Sequence, residues 1–574
     1  MKKKWVLYPV HDALRDQISR KFELSRVVAQ ILINRGLDSI DKVDKFLNIT
    51  LNDLRDPFLL DGLNSAVDRI MQAIKNKETV LIHGDYDVDG VTSTVLLSYI
   101  LREVDVSVKF FIPNRLIDGY GVGEEGIQSA LKVGATLMIT VDCGINAVDE
   151  VKRLKELGVD VIVTDHHMPG DELPDAVAIV NPNLPDSKYP FKDLAGVGVS
   201  FKLAHAILKR ARECEMHNFD HVDLKEHLDL VALGTVADMV PLIDENRIFV
   251  MYGLKRLSKT SKIGLQKLKE TSGISKDTVM KTSHISFLMA PRINSIGRLK
   301  DAAFGVELMT CSDKDEAQRL VSAMEHSNRQ RQKMEEEIFK KAKVFIESNY
   351  DIQKDRILVI AQEGWGVGIV SIVASRLTRE YSKPAIVFAL ENGFGRGSAR
   401  SINGFNILEC INKCQSLLSE FGGHSQAAGL SIKTENIDSF RKKINAIANE
   451  QMGDEDFDPE VFIDYKLKLS EIGNELYSEI ESMAPFGQKN KTPVFLSQGL
   501  IVQETPRCFG RNHIKFVVGD EAGFIIEAIG FNMQNKLKRL AKGDKIDMTY
   551  SLNVNEYAGM STIQIQTVDV RFYK

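Results

Sequence analysis

The chain has 574 residues, 44% of them hydrophobic and 27% charged, with 74 Lys and Arg against 79 Asp and Glu and a formal net charge of −5. That length exceeds what one hydrophobic core serves and calls for two to four domains. The charge balance excludes a uniformly basic coat for nucleic acid, though a local basic groove is still compatible with it.

The start, MKKKWVLYPVHDALRD, is basic, but its apolar run is too short for a signal peptide. No later stretch suits a membrane span, so a soluble cytoplasmic protein without membrane contact is expected. TVLI (79–82) reads as a buried strand, VTSTVLLSYILREV (91–104) as a helix and VSVKFFI (106–112) as the next strand. EEGIQSALKVG (124–134) is a helix closed by a glycine C-cap. TLMITV (136–141), a helix through Leu157 and VDVIVT (159–164) continue the alternation, which predicts a doubly wound, mainly parallel sheet. Residues 195–310 read as mostly helical, and the charged, amphipathic run 313–348 as one long, partly exposed helix. A second α/β pattern runs from ILVIAQ (357–362) to about Asn449, and the acidic QMGDEDFDPE (451–460) marks a boundary. Beyond it, IKFVVGD, FIIEAIGF, KIDMTYSLNV and TIQIQTVDV are short alternating segments that suit a small barrel of OB-fold type. There is no CxxC pair; Cys410 and Cys414 are expected to be a buried, reduced pair rather than half of a zinc site.

The strongest chemical signal is His83-Gly-Asp85-Tyr-Asp87-Val-Asp89-Gly90, directly after the strand at 79–82. In open α/β sheets, active groups collect beyond the C-terminal ends of strands. Three carboxylates and an imidazole at one such end exceed what a helix cap needs, and they repel one another unless a cation or proton intervenes. Asp142 in TVDCG and Asp165-His166-His167 occupy two further strand ends, and Asp238 in LGTVADMVPL is a helix-terminal candidate. Mixed Asp and His ligands suit Mn²⁺ or a similar ion better than an all-oxygen Mg²⁺ site.

Other segments are candidates for substrate contact. Gly422-Gly423-His424 and Ala427-Ala428-Gly429 offer bare backbone to phosphates, and Arg396, Ser398 and Arg400 add phosphate-matching donors. Arg292, Asn294 and Arg298 form a similar polar set, and Arg115 follows the strand at 106–112. In the barrel region Arg507, Phe509, Arg511, His513, Lys515 and Phe516 interleave charge and aromatic rings, a pattern that suits single-strand binding and equally an ordinary solvated strand with core aromatics.

HGDYDVDG, TVDCG, DHH and GTVADMVPL occur in the order found in the DHH phosphoesterases. MAPRINSIGR, GRGSARS and FGGHSQAAGL extend the resemblance over nearly the whole chain, and the sequence most resembles the RecJ branch of that family. The resemblance implies a DHH catalytic domain at 1–310 including the N-terminal segment, a linker helix at 311–350, a DHH-associated substrate-binding domain at 351–450 and a nucleic-acid-binding OB-fold at 455–574. It further implies two divalent ions, Mn²⁺ or Mg²⁺, one on His83, Asp87 and Asp142 and the other on Asp89, Asp142, His166 and Asp238. His167 would face the scissile phosphate and Asp85 would act behind the ligands or on the nucleophile. Arg115, Ser398 and Arg400 would form a 5′-phosphate pocket, with Arg298 nearer the scissile phosphate; Arg292, Asn294, Arg396, Gly423 and His424 would also contact substrate. The implied reaction is 5′-to-3′ hydrolysis of single-stranded DNA to 5′-mononucleotides in recombination and repair, alongside helicases and single-strand-binding protein.

The chain departs from the family pattern at Trp365-Gly366, where a His usually follows the Trp, at Ser371, where Gly is usual, and in Gln488-Lys489-Asn490-Lys491. Two other readings are a DHH enzyme acting on oligoribonucleotides or cyclic dinucleotides and a non-catalytic single-strand-binding relative. The first usually lacks the added barrel, and the second usually lacks metal ligands that are all filled here.

Overall fold

The computed structural model describes residues 3–104, 106–114, 121–299, 302–352, 354–451, 453, 459–510, 512–557 and 560–573. A short N-terminal strand, β1 (Lys4–Leu7), precedes the first parallel sheet, which holds β2 (Thr79–Gly84), β3 (Ser107–Phe111), β4 (Leu137–Val141), β5 (Asp160–Thr164) and β6 (Ala178–Val180). Its order is β3-β2-β4-β5-β6, and every neighbouring pair is parallel. β4 is buried at every residue, as continuous apolar runs covered on both faces should be. The chain moves from β2 out to β3, then crosses back to place β4 on the other side of β2. The C-terminal ends of β2 and β4 therefore flank a topological switch point, where such sheets open a crevice.

The helix Val88–Arg102 follows β2 and is buried on nearly all sides; the helices Gly196–Glu213 and Leu228–Ala237 pack on it. The long helix is Lys314–Asn349, and Asp313 caps it by accepting the Glu316 N–H at 2.7 Å. Along its length it packs first on the helices Ile263–Thr271 and Ala290–Leu299, then on Val367–Tyr381. Beyond it lies a second sheet of β7 (Leu358–Glu363), β8 (Ala385–Glu391), β9 (Phe394–Arg400), β10 (Leu418–His424) and β11 (Ala427–Lys433), in the order β10-β11-β9-β8-β7. β7 and β8 are parallel and the other pairs antiparallel. These elements form one compact unit, Arg55–Val240 with Phe249–Asp458.

The other unit collects three separate stretches, Met1–Leu54, Pro241–Ile248 and Pro459–Lys574. Here β12 (Glu460–Ile463) pairs in parallel with β1, and β13 (Tyr465–Lys466) leads into β14 (Phe495–Val502). β15 (Arg507–Phe509), β16 (His513–Gly519), β17 (Ile525–Gly530), β18 (Lys545–Tyr557) and β19 (Met560–Phe572) complete the sheet. β14 pairs with both β16 and β18, β18 with β19, and β17 with both β16 and β19, the last pair parallel. Those five strands close into an OB-fold barrel.

The N-terminal segment, expected with the catalytic domain, belongs instead to the barrel unit. The reason is apolar burial: Val28, Ile31, Leu32 and Phe46 share one core with Leu467, Leu476, Ile480 and Met483. A buried ion pair joins the same stretches, Arg35 Nη1 to Asp464 Oδ1 at 2.7 Å. Pro241–Ile248 is built into this unit as well. Leu242 N–H donates to the Gln488 carbonyl at 2.9 Å, and Arg247 donates to the carbonyls of Phe46 and Met483 while its guanidinium lies 3.8 Å from the Phe46 ring centre. Among the described residues, no helix is long and apolar enough to cross a membrane.

Candidate active site

The carboxylates gather where the topology opens the sheet. Strand β2 ends in His83-Gly84-Asp85, and Asp87 caps the helix Val88–Arg102, its Oδ1 accepting the N–H groups of Asp89 and Gly90 at 2.8 and 3.2 Å. Asp89 sits in the first turn of that helix and accepts the N–H groups of Gly196 and Val197 at 2.7 and 2.9 Å, at the start of another helix. Asp142 follows β4 at φ 61°, a left-handed turn that aims its side chain across the strand ends. His166 follows β5, and Asp238 closes the helix Leu228–Ala237. His166 Nε2 stands 3.1 Å from Asp142 Oδ1 and 3.7 Å from Asp238 Oδ2.

Three groups of potential ligands result, with ligand atoms within 4.8 Å of one another in each: Asp85, Asp87 and Asp142; Asp89, His166 and Asp238; and Asp142, His166 and His167. The second group contains three of the four residues expected around one ion. The first differs from expectation, because Asp85 rather than His83 joins Asp87 and Asp142. His83 is fully buried, with its Nδ1 3.6 Å from Cys143 Sγ and its ring 5.4 Å from that of Phe111.

Burial, then the neighbouring carboxylates Asp238 and Asp87, push the Asp89 carboxyl well above its ordinary value. Asp142 is driven the same way by burial and then by Asp89, Asp87, Asp85 and Asp238. Burial holds His166 below its ordinary value, in the neutral form that ligates a metal. Asp142 Oδ1, His166 Nε2 and Asp238 Oδ2 are buried and in no hydrogen bond, although they face one another. A set of buried like charges with unsatisfied atoms converging on one space fits cations, and mixed N/O donors fit Mn²⁺ and tolerate Mg²⁺. Bare backbone makes the room: a Cβ on Gly196 would lie 2.5 Å from Asp142 Oδ1, and one on Gly234 2.8 Å from Asp89 Oδ1.

Asp165 is a residue whose job the sequence reading missed. Its Oδ1 accepts the N–H groups of His166 and His167 and meets His167 Nδ1 at 2.7 Å, while Oδ2 accepts the Ile145 N–H. Burial works against a charge on His167, but this carboxylate outweighs it and lifts the pKa to about 9. The available signal was the DHH triplet itself, since an Asp beside two His can orient one of them.

The expected substrate residues separate into groups. Arg396, Ser398 and Arg400 alternate along β9 and so share one face of the second sheet; Arg400 Nη1 donates to Ser398 Oγ at 2.8 Å. Gly429 lies opposite Ser398, Gly422 opposite Gly429, and His424 opposite Ala427, which is itself opposite Arg400. Gly423 and His424 thus lie on an exposed edge strand. Arg298 Nη1 donates to the Gly368 carbonyl at 2.8 Å and to Ser371 Oγ at 3.2 Å. Arg292 Nε donates to Glu325 at 2.7 Å and its Nη1 to the Leu288 carbonyl at 2.6 Å. Asn294 Oδ1 accepts the Val88 N–H at 3.2 Å. Arg115 lies outside the described residues, as does Arg511. In the barrel, Phe516 is buried in the core at 2% exposure and cannot stack on a base, and Lys515 pairs with Glu527. Phe509 and Phe531 are exposed instead, with the His513 ring 5.3 Å from each.

The chain matches the models of the DHH family N-terminal domain over residues 79–235, the DHHA1 domain over 354–450 and the RecJ OB domain over 463–569. It is 38% identical to the single-stranded-DNA-specific exonuclease RecJ of Bacillus subtilis over 573 residues, covering 99% of this chain and 71% of that protein. The protein of that name from Escherichia coli is 32% identical, with 95% of each covered. The crystal structure of RecJ from Thermus thermophilus in complex with Mn²⁺ superposes with a TM-score of 0.83 at 28% identity, covering 100% of this chain and 80% of that one. The Mg²⁺ complex from the same organism superposes at 0.76.

Proposed function

The chain belongs to the family of RecJ single-stranded-DNA-specific exonucleases, and from that premise we propose that it degrades single-stranded DNA from the 5′ end, releasing 5′-mononucleotides. It is a metal-dependent exonuclease whose cofactors are divalent cations, Mn²⁺ or Mg²⁺. The observation that carries this reading is the convergence of Asp85, Asp87, Asp89, Asp142, His166 and Asp238 at one switch point.

Two ions fit the ligand set. Asp85, Asp87 and Asp142 would hold one and Asp89, His166 and Asp238 the other, with Asp142 shared and His83 joining the first as the family pattern implies. Bound there, divalent ions activate water and stabilise the leaving oxygen in an in-line displacement. The chain's own groups do the rest. Asp165 fixes the His167 ring through Nδ1, so that Nε2 can meet an oxygen of the scissile phosphate. Arg298, anchored on Gly368 and Ser371, serves the same phosphate. Ser398 and Arg400 receive a 5′-terminal phosphate together with Arg115, and Arg396, Gly423 and His424 line the approach. The Arg400–Ser398 hydrogen bond supports this by presenting the guanidinium already oriented. Phe509, His513 and Phe531 offer a run of rings for bases further along the strand. The cellular role we assign is recombination and repair in the cytoplasm, with a helicase and single-strand-binding protein as partners.

The test is hydrolysis of labelled single strands with Mn²⁺, products resolved by size, on 5′-phosphate and 5′-hydroxyl ends. Wild type should release mononucleotides from the 5′ end and prefer the phosphate; Arg400→Ala should lose most of that preference while still degrading DNA slowly. Release from the 3′ end, or attack on dinucleotides only, would replace the reading. Equal use of both 5′ ends by wild type would remove the phosphate pocket.

A further inference from the structure

We propose that the helix Ala290–Leu299 is a strut that sets the Asp85–Asp89 turn, and that Asn294 is a positioning residue for metal binding rather than a DNA contact. The inference rests on the reading of that turn as a metal site.

A helix begins with four backbone N–H groups that have no partner inside it. In the helix Val88–Arg102, two of them are satisfied by the Asp87 side chain, which accepts from Asp89 and Gly90, while the Asp87 carbonyl takes the first bond of the helix itself, from Val91 at 2.9 Å. Another, the Val88 N–H, is met from 206 positions away by Asn294 Oδ1 at 3.2 Å. This matters because the cap and the ligand are the same carboxylate. Asp87 holds the helix start while it stands within ligand distance of Asp85 and Asp142. Without Asn294, the Val88 N–H competes for Asp87 and pulls it from the space it shares with those carboxylates.

A second contact one turn along the strut is independent of the first. A Cβ on Gly297 would lie 2.8 Å from the Tyr86 carbonyl oxygen and 3.6 Å from the Tyr86 Cβ. The strut therefore rests on the Tyr86–Asp87 peptide at a distance only glycine permits. The same end is tied to the second sheet's side as well: Arg298 donates to the Gly368 carbonyl and Ser371 Oγ, and a Cβ on Gly368 would lie 2.8 Å from the Arg298 carbonyl oxygen. Asn294 and Gly297 face the turn from a helix pinned beside Gly297 in its last turn, so the spacing of the carboxylates is imposed from outside the strand that carries them. Groups that orient metal ligands in this way typically change metal affinity about 10- to 100-fold when removed.

The experiment is Mn²⁺ titration of the full-length protein by calorimetry, without DNA, for wild type, Asn294→Ala and Gly297→Ala, with steady-state hydrolysis and melting measured in parallel. Both variants should bind Mn²⁺ about 10- to 100-fold more weakly. At saturating Mn²⁺ the KM for single-stranded DNA should stay within about twofold of wild type and kcat should recover. Unchanged Mn²⁺ affinity in both variants would overturn the proposal: a raised KM would make Asn294 a DNA contact, and a lowered melting temperature alone would make the strut merely structural. If only one variant misfolds, the other decides. Wild type that fails to bind Mn²⁺ would instead overturn the metal reading, and the strut with it.

Discussion

The catalytic sheet and the barrel unit are assembled in opposite ways. In the sheet, each predicted metal ligand lies within a few residues of the end of a strand or helix, and parallel pairing of β2, β4 and β5 brings the strand ends side by side. In the barrel unit, the core is shared by stretches from the beginning, middle and end of the chain. A site made from strand ends can be read from short motifs; a core made from distant stretches cannot. The first arrangement also concentrates repulsive charge that a cation must relieve, whereas the second concentrates apolar contact and paired charge. The two regions should therefore fail differently.

The largest contrast is expected at Asp142. Asp142→Ala removes the carboxylate common to two of the ligand groups, and activity should fall by at least ~10³-fold. The same change removes one of several crowded buried carboxylates, so the melting temperature of the metal-free protein should hold or rise. Near-normal turnover with full metal occupancy, or a collapsed fold, would erase the distinction. The opposite signature is expected at Arg35. Arg35→Ala leaves Asp464, which is 4% exposed, as a buried charge without its ion-pair partner, at a cost of about 3–5 kcal/mol. Chemical denaturation should show that loss in the barrel unit, while hydrolysis of very short oligonucleotides persists. Equal damage to short-substrate turnover would mean that the two regions are not separable. The smallest effect is expected on the barrel surface, where Phe509→Ala and Phe531→Ala should each weaken binding to long strands by about 1–3 kcal/mol without changing stability. If long and short substrates suffer alike, the rings are not a base platform.

Most of the catalytic architecture was legible because it is local. β2, β4 and β5 are apolar runs ended by ligand residues, and the glycine C-cap after the helix Glu124–Val133 is Gly134 at φ 66°. What escaped was set by partners far away in sequence. The polar neighbours of Asn294 point to substrate, and only the fold reveals the Val88 N–H that its side chain accepts. Nor does the sequence show that Arg292 donates to Glu325, 33 positions on. The helices before Leu54 show apolar faces but not what those faces bury against. Phe516 follows the core alternative that its pattern left open: in β16, Ile514, Phe516 and Val518 alternate inward while His513 and Lys515 point out, so a period of two separates core from surface.

The scattered make-up of the barrel unit also has a consequence in time. A ribosome delivers Met1–Leu54 about 400 residues before the stretch that completes their core. At ordinary synthesis speeds of about 5–20 residues per second, that is a wait of roughly 20–80 s. Throughout it, Val28, Ile31 and Leu32 lack the part of their core that Leu467, Leu476, Ile480 and Met483 supply, and Arg247, once made, waits for the carbonyl of Met483. The nascent chain thus carries an adhesive N-terminal segment for most of its synthesis, while the nuclease sheet between can already close. Premature termination after the second sheet would release a catalytic core with that segment still unburied, a species suited to chaperone capture or aggregation rather than to unregulated cutting.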